Sequence, residues 1–125
     1  MTIIVLTGAP GVGKTTAIIF VVRALKERGV KVGGIVSKEL RTNNNIRIGF
    51  EFIDLMTNDR STLASIIGSG PKVGKYFINF AGCNFAANRL ISAIRRSDVI
   101  ICDEIWPYGA QIKRVHSFRK EFALY

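Results

Sequence analysis

The sequence predicts an α/β fold, a three-layer sandwich whose mainly parallel sheet carries a β-hairpin insertion. Three observations support this prediction. A buried, β-branched strand at Thr2–Thr7 leads through a glycine-rich loop into an amphipathic helix. A second buried strand, Asp98–Ile105, ends in acidic residues. Between them, an alternating segment that follows Asn43–Asn45 predicts a hairpin.

The first part of the chain predicts a β-α-β unit. Apolar residues recur at helical spacing between Lys14 and Arg28, and Gly29 is of the type that commonly ends a helix. Lys31–Ser37 predicts a second, shorter strand. The crossover between two such parallel strands is right-handed almost without exception.

The remaining elements follow from changes in periodicity. Ile46–Met56 alternates between apolar and polar residues and predicts the return strand of the hairpin. Ser61–Gly70 is ambiguous between a loop and a short strand, and Lys75–Phe80 predicts a strand. Cys83–Arg96 has apolar residues at helical spacing and predicts the second helix.

Composition narrows the class of protein. With 48% hydrophobic residues, the 125-residue chain can bury a core, which excludes a disordered protein. Two cysteines are too few for a disulfide scaffold, and no apolar run reaches the roughly 18 residues of a membrane span. We therefore expect a cytoplasmic protein without membrane contacts. Its net charge of +9 suggests an anionic partner: nucleic acid, a phosphate ligand or an acidic surface.

The glycine-rich loop predicts a nucleotide-binding site. It matches G-x-x-x-x-G-K-[ST], in which glycines let backbone N–H groups point at phosphate oxygens and the helix N-terminus adds partial positive charge. Lys14 would contact the β- and γ-phosphates, and the Thr15 hydroxyl is a hard oxygen ligand for Mg²⁺. The predicted nucleotide-binding residues are Gly8, Ala9, Pro10, Gly11, Val12, Gly13, Lys14, Thr15 and Thr16.

The acidic end of the last strand predicts the rest of a P-loop site. Asp103 would lie beside Thr15 and hold Mg²⁺, usually through water. Glu104 would point into the site and orient or deprotonate the attacking water. The alternative is a solvated loop after a strand, where acidic residues are common. Cys102 is expected to be a small buried hydrophobe rather than a reactive thiol.

Other polar residues are weaker candidates. Arg41 and Arg47 flank the hairpin tip, and Arg47 is either a nucleotide contact or a solvated arginine. Arg95 and Arg96 fit a helix C-terminus, where the helix dipole favours cations, better than a nucleic-acid patch. His116 has no triad or metal partner nearby in sequence, so we expect no catalytic role for it.

Together these motifs resemble a small family of P-loop nucleoside-triphosphatases first known from thermophiles, which includes the human cancer-related nucleoside-triphosphatase. The P-loop alone is not specific to that family, whereas the R-I-G-F hairpin combined with V-G-K-Y and D-E-I is. The matching segments, in the order and spacing of the family, are GAPGVGKTT at Gly8–Thr16, VGGIVSKELR at Val32–Arg41, RIGFEFIDL at Arg47–Leu55, VGKYFIN at Val73–Asn79 and DVIICDEI at Asp98–Ile105.

The resemblance implies Mg²⁺-dependent hydrolysis of ATP, GTP and other nucleoside triphosphates. It implies that Lys14 and Thr15 act on phosphate and metal, Asp103 on Mg²⁺, and Glu104 on the attacking water. Two other functions stay open: a small-molecule or nucleotide kinase, and a nucleotide-dependent nucleic-acid-binding or regulatory module. We expect the nucleotide as partner and do not favour nucleic acid, and the sequence leaves the oligomeric state open.

The resemblance stops after Ile105. Family members continue with G-P-M-E-L-K-S-K-x-F, whereas this chain continues with Trp106–Pro107–Tyr108. Back-translation of the tail, moved forward by one base, permits G-P-M-E-L-K-S-K-E-F-I. We therefore expect an incomplete P-loop core at residues 1–105 and an out-of-frame tail at 106–125, with the C-terminal part missing. A divergent tail is the alternative, and resequencing the gene decides between them.

The missing part has a structural consequence. In P-loop ATPases that carry this catalytic glutamate, the strand after D-E usually lies between the P-loop strand and the D-E strand. Its loss would leave an unfilled central position in the sheet and unpaired backbone edges. We therefore expect the chain as written to be poorly stable or weakly active.

Overall fold

The helices and strands follow the predicted order along the chain. The computed structural model describes residues 2–6 and 14–103, and the side chains of residues 15–102. The elements in this part are β1 (Thr2–Leu6), α1 (Lys14–Glu27), β2 (Val32–Arg41), β3 (Arg47–Asp54), β4 (Arg60–Ser65), β5 (Lys72–Val73), β6 (Tyr76–Ile78), α2 (Phe80–Arg96) and β7 (Val99–Asp103). None of the described helices is both long and apolar enough to cross a membrane.

All these strands belong to one sheet, in the order β1-β7-β2-β3-β4-β6-β5. The strand β7 pairs in parallel with β1 on one side and β2 on the other. The other four pairings are antiparallel. For the described strands, our expectation of a mainly parallel sheet is therefore wrong. The hairpin extends the same sheet from β2, and the short connections that follow it can join only antiparallel neighbours.

The described sheet has no gap at its centre. We expected a gap between β1 and β7, but the two strands pair directly, with Thr2 level with Val99 and Leu6 level with Asp103. That expectation is wrong for the described strands. A gap would leave backbone N–H and C=O groups unpaired inside the sheet, and unpaired buried groups cost free energy. Direct pairing gives these groups hydrogen-bond partners.

The sheet lies between the two helices, which confirms the predicted three layers. Neighbouring residues of one strand face opposite helices: Ile35 packs on the α2 side and Val36 on the α1 side. Cys102 packs partly buried against the cluster on the α2 side, less deeply than expected, and its low reactivity stays a prediction. The buried cluster on the α2 side comprises Ile35, Phe50, Phe52, Leu63, Ala64, Tyr76, Ile78, Ala86, Leu90, Ala93 and Ile100. The cluster on the α1 side comprises Ile18, Val22, Val32, Val36, Ile53, Leu55 and Ile101.

Local signals set the helix ends. The helix α1 ends at Glu27 and is followed by Gly29, which has a φ of +78°, and the N–H of Val30 bonds to the carbonyl O of Leu25 at 3.1 Å. This is the glycine-ended arrangement that satisfies the last carbonyls of a helix. The helix α2 begins earlier than predicted, because the side chain of Asn79 accepts hydrogen bonds from the N–H groups of Ala81 and Gly82 and caps it.

Candidate nucleotide-binding site

The first turn of α1 carries the two threonines that follow the glycine-rich loop. Thr15 is half-buried, and its hydroxyl donates a hydrogen bond of 3.0 Å to the backbone carbonyl O of Ser37 in β2. Thr16 is exposed to solvent. A hydroxyl that donates one hydrogen bond keeps its lone pairs, so Oγ1 of Thr15 can also bind a metal ion.

The parallel strands end at one edge of the sheet, beside the start of α1. Leu6, the last residue of β1 before the loop, is level with Asp103, the last residue of β7. The strand β2, which carries Ser37, runs parallel to β7 on its other side. The backbone therefore brings Thr15 and Asp103 to the carboxyl edge of the parallel strands, where ligands bind in open α/β sheets.

Several predicted site residues lie outside the part of the chain that the structure describes. Their roles in phosphate, metal and water binding stay predictions. They are the loop residues Gly8, Ala9, Pro10, Gly11, Val12 and Gly13, the side chains of Lys14 and Asp103, and Glu104. His116 lies outside the described residues as well.

The oxygen atoms at this edge suit a hard cation. The Thr15 hydroxyl and the Ser37 carbonyl lie 3.0 Å apart at the start of α1. Within residues 15–102, no group of three histidine, cysteine or acidic side chains could hold a metal. Mg²⁺ is usually bound through one or two protein ligands plus phosphate oxygens and water, so the site does not need such a cluster. Thr15 therefore fits the predicted Mg²⁺.

A network of charged and aromatic residues holds the hairpin next to this edge. Arg47 donates from Nε to the hydroxyl of Tyr76 at 2.9 Å and pairs with Glu39 at 3.1 Å. Its guanidinium also stacks on the ring of Phe50, 5.3 Å from the centroid. Glu39 pairs with Arg41 as well. Arg47 is thus a structural link between strands, and a contact with nucleotide stays open.

The charges in this network stabilise one another. The pKa of Arg47 is raised by its hydrogen bond to Tyr76 and by its bond to Glu39. Burial raises the pKa of Glu39, but the bonds from Arg41 and Arg47 outweigh it and hold that pKa below its ordinary value. Sequence reasoning missed the two partners of Arg47. The only available signal was that Glu39 and Arg41 have opposite charges two residues apart, which places them on one face of a strand.

Arg95 and Arg96 lie where a helix-end role requires them. Both are exposed and occupy the last turn of α2. Cations in that turn interact favourably with the helix dipole. The predicted position at the C-terminus of the helix is therefore confirmed for both residues.

Comparison with known proteins decides the family. A model of the NTPase family matches residues 3–121. The chain belongs to the NTPase family. A crystal structure of THEP1 from the hyperthermophile Aquifex aeolicus is similar, with a TM-score of 0.64, 20% identity, and coverage of 92% of this chain and 84% of that one. This likeness confirms the predicted P-loop α/β fold.

Curated relatives in the family are closer in sequence. The chain is 45% identical over 104 residues to a nucleoside-triphosphatase THEP1 from Methanopyrus kandleri, covering 83% of this chain and 57% of the relative. It is 41% identical over 103 residues to one from Methanocaldococcus jannaschii, covering 82% and 60%. The relative from Archaeoglobus fulgidus matches over 116 residues at 35% identity, covering 92% and 67%. The chain thus spans less than two thirds of the first two relatives.

The lengths of these matches bear on the predicted out-of-frame tail. The matches to the relatives from Methanopyrus kandleri and Methanocaldococcus jannaschii are 104 and 103 residues long, close to the length of the predicted core. The family match continues to residue 121. Residues 106–125 lie outside the described residues, and the frameshift stays a prediction.

Proposed function

We propose that the chain binds nucleoside triphosphates at the carboxyl edge of its parallel strands and hydrolyses them to the diphosphate and phosphate with Mg²⁺. The observation that carries this proposal is the meeting of the α1 N-terminus, with Thr15 bonded to Ser37, and the end of β7 at Asp103. The names of the curated relatives, which are nucleoside-triphosphatases, support it.

Each residue has a distinct part in the proposed reaction. The loop N–H groups and Lys14 would hold the phosphates, and the N-terminus of α1 would add its partial positive charge. Thr15 and Asp103 would hold Mg²⁺, which neutralises charge on the phosphate oxygens. Glu104 would position the water for in-line attack, and fixed charges aimed at the transferred group supply much of the catalysis in such sites.

Phosphate release tests the proposal and separates it from a kinase. Protein given only Mg²⁺ and ATP should release phosphate without an added acceptor, whereas a kinase should need one. Lys14→Ala should abolish nucleotide binding and release. The matched control Lys72→Ala removes an exposed lysine of β5 and should leave both unchanged.

A second variant tests the role of the acidic strand end. Glu104→Gln should keep the affinity for nucleotide but lose turnover, because the amide cannot orient or deprotonate water as the carboxylate does. Full turnover in Glu104→Gln would rule out the proposed mechanism and favour a binding or regulatory role.

The protein made from a frame-restored gene belongs in the same assay. The chain spans 57% of the relative from Methanopyrus kandleri, and the frameshift hypothesis places the missing part after Ile105. We expect the restored protein to release phosphate faster and to melt at a higher temperature. Equal rates and stabilities would argue that residues 1–105 need no further part for activity.

A further inference from the structure

An open cleft of about 600 Å³ lies at the opposite edge of the sheet from the nucleotide site. It is formed where β2 and β7 begin and where α2 ends. Its volume is within the usual range of ligand sites. The lining residues are Lys31, Met56, Arg95, Arg96, Ser97 and Asp98.

The cleft is positively charged. Lys31, Arg95 and Arg96 are exposed, and the described part of the chain shows no ion pair or side-chain hydrogen bond for any of the three. The one carboxylate in the lining, Asp98, accepts a hydrogen bond of 3.0 Å from the backbone N–H of Lys31. Three cations therefore face one carboxylate, which is already hydrogen-bonded to the backbone.

The backbone beneath these cations is well fixed. The N–H of Asp98 donates a hydrogen bond of 2.8 Å to the carbonyl O of Lys31. The N–H of Ser97 donates one of 2.9 Å to the carbonyl O of Ala93. The end of α2 packs so closely on β2 that a Cβ at Gly33 would lie 2.3 Å from Oγ of Ser97. The cations therefore extend from a fixed backbone, so that binding a ligand would cost the ordering of their side chains but not of the chain beneath them.

We propose that this cleft binds phosphate groups of an anionic ligand, separately from the nucleotide site. The guanidinium groups of Arg95 and Arg96 present planar sets of donors that match phosphate oxygens, and Lys31 adds a third cation. The partial negative charge at the end of α2 offsets part of this charge but is equivalent to only about half a unit. The five residue steps along β2 from Val32 to Ser37 put the cleft about 17 Å from the nucleotide site.

The test measures binding of a short single-stranded RNA oligonucleotide with a 5′-hydroxyl end by fluorescence anisotropy across a salt series. The variant R95Q/R96Q removes two cations of the cleft and keeps most of their aliphatic length. Its matched control, R23Q/K72Q, removes two exposed cations elsewhere. At about −0.7 in slope per phosphate contact, R95Q/R96Q should flatten the salt slope by about 1.4 and weaken binding about 25-fold at about 0.1 M salt, and the control should change little.

A second probe identifies the source of the phosphate. Inorganic tripolyphosphate is titrated while backbone amide NMR signals of Lys31, Ser97 and Asp98 are followed. Shifts at these amides that R95Q/R96Q abolishes, without RNA binding, support the proposal with a small phosphorylated ligand. RNA binding that depends on the two arginines supports it with a nucleic-acid backbone. The proposal is overturned if neither probe binds, if R23Q/K72Q weakens binding equally, or if polyglutamate displaces either probe as well as phosphate does.

Discussion

The contact between β2 and β7 carries both the fold and the candidate site, and Gly34 is where it can be broken. Gly34 lies in β2 with a φ of +112°, and a Cβ at this position would lie 1.8 Å from the carbonyl O of Ile101 in β7. Gly29, by contrast, has a φ of +78° and open space around the same position. Gly34→Ala and Gly29→Ala therefore add the same methyl group with and without a clash.

The structure allows the cost to be worked out. Moving the new Cβ from 1.8 Å to at least 3 Å from Ile101 O would separate β2 from β7 by more than 1 Å, enough to break the hydrogen bonds on either side of Gly34. Two buried pairs left unsatisfied cost about 3 kcal/mol, and the positive φ costs about 1–2 kcal/mol more. Gly34→Ala should therefore lose about 4–5 kcal/mol, and Gly29→Ala only about 1–2 kcal/mol.

Urea unfolding followed by far-UV circular dichroism measures the difference. With a slope of about 1–3 kcal/mol/M, Gly34→Ala should lower the midpoint by more than about 1 M relative to Gly29→Ala, or fail to fold at all. Limited proteolysis of the purified proteins covers the second case, because an unfolded variant is cut at once. Equal midpoints for the two variants would refute the close approach of β2 and β7 at Gly34.

Three further substitutions test other parts of the structure. Asp54→Asn should lower the urea midpoint several times more than Asp59→Asn, because both carboxylates pair with Arg89 but the Asp54 side chain is 5% exposed and that of Asp59 55%; equal losses would contradict this. Glu39→Gln should cost about 0.5 kcal/mol at neutral pH. Since the pKa of Glu39 is lowered in the folded state, its contribution is present above the unfolded value near 4.5 and is lost as pH falls through the folded pKa, so melting curves of the two proteins should converge in acid. Thr15→Val should lose Mg²⁺-dependent nucleotide affinity while Thr15→Ser keeps it, as fluorescent-nucleotide titrations with and without EDTA would show; equal affinities would exclude the hydroxyl as a ligand.

Local patterns predicted the elements better than their arrangement. Each strand, helix and hairpin has its own spacing of apolar and polar residues, and this spacing can be recognised within a short stretch of sequence. The direct pairing of β1 with β7 joins residues such as Leu6 and Asp103 that are far apart in sequence, and no local pattern encodes it. The start of α2 was missed for a different reason: the apolar periodicity begins inside the helix, whereas the cap at Asn79 sets its N-terminus.

The same distinction applies to the candidate site. The glycine-rich loop and the acidic strand end are contiguous motifs, so the sequence predicts them directly. The partners of Arg47 are not contiguous, because Tyr76 lies 29 residues further along the chain and reaches it only through the antiparallel order of β3, β4 and β6. The basic cleft likewise brings Lys31 next to the end of α2, more than 60 residues further along the chain. The sequence therefore predicted only a helix-end position for Arg95 and Arg96, and not the cleft.

The two faces of the sheet make stability and nucleotide binding separable. Asp54 lies two residues from Phe52 on the same strand, and so shares the α2 face, where Arg89 pairs with it. Thr15 lies in α1, on the opposite face of the sheet, and its hydroxyl donates a hydrogen bond to the backbone carbonyl O of Ser37 in β2. Asp54→Asn should therefore lower stability and leave nucleotide affinity unchanged at temperatures where the variant is folded. Gly34→Ala should impair both, because the β2–β7 pairing it opens also positions Ser37 beside β7.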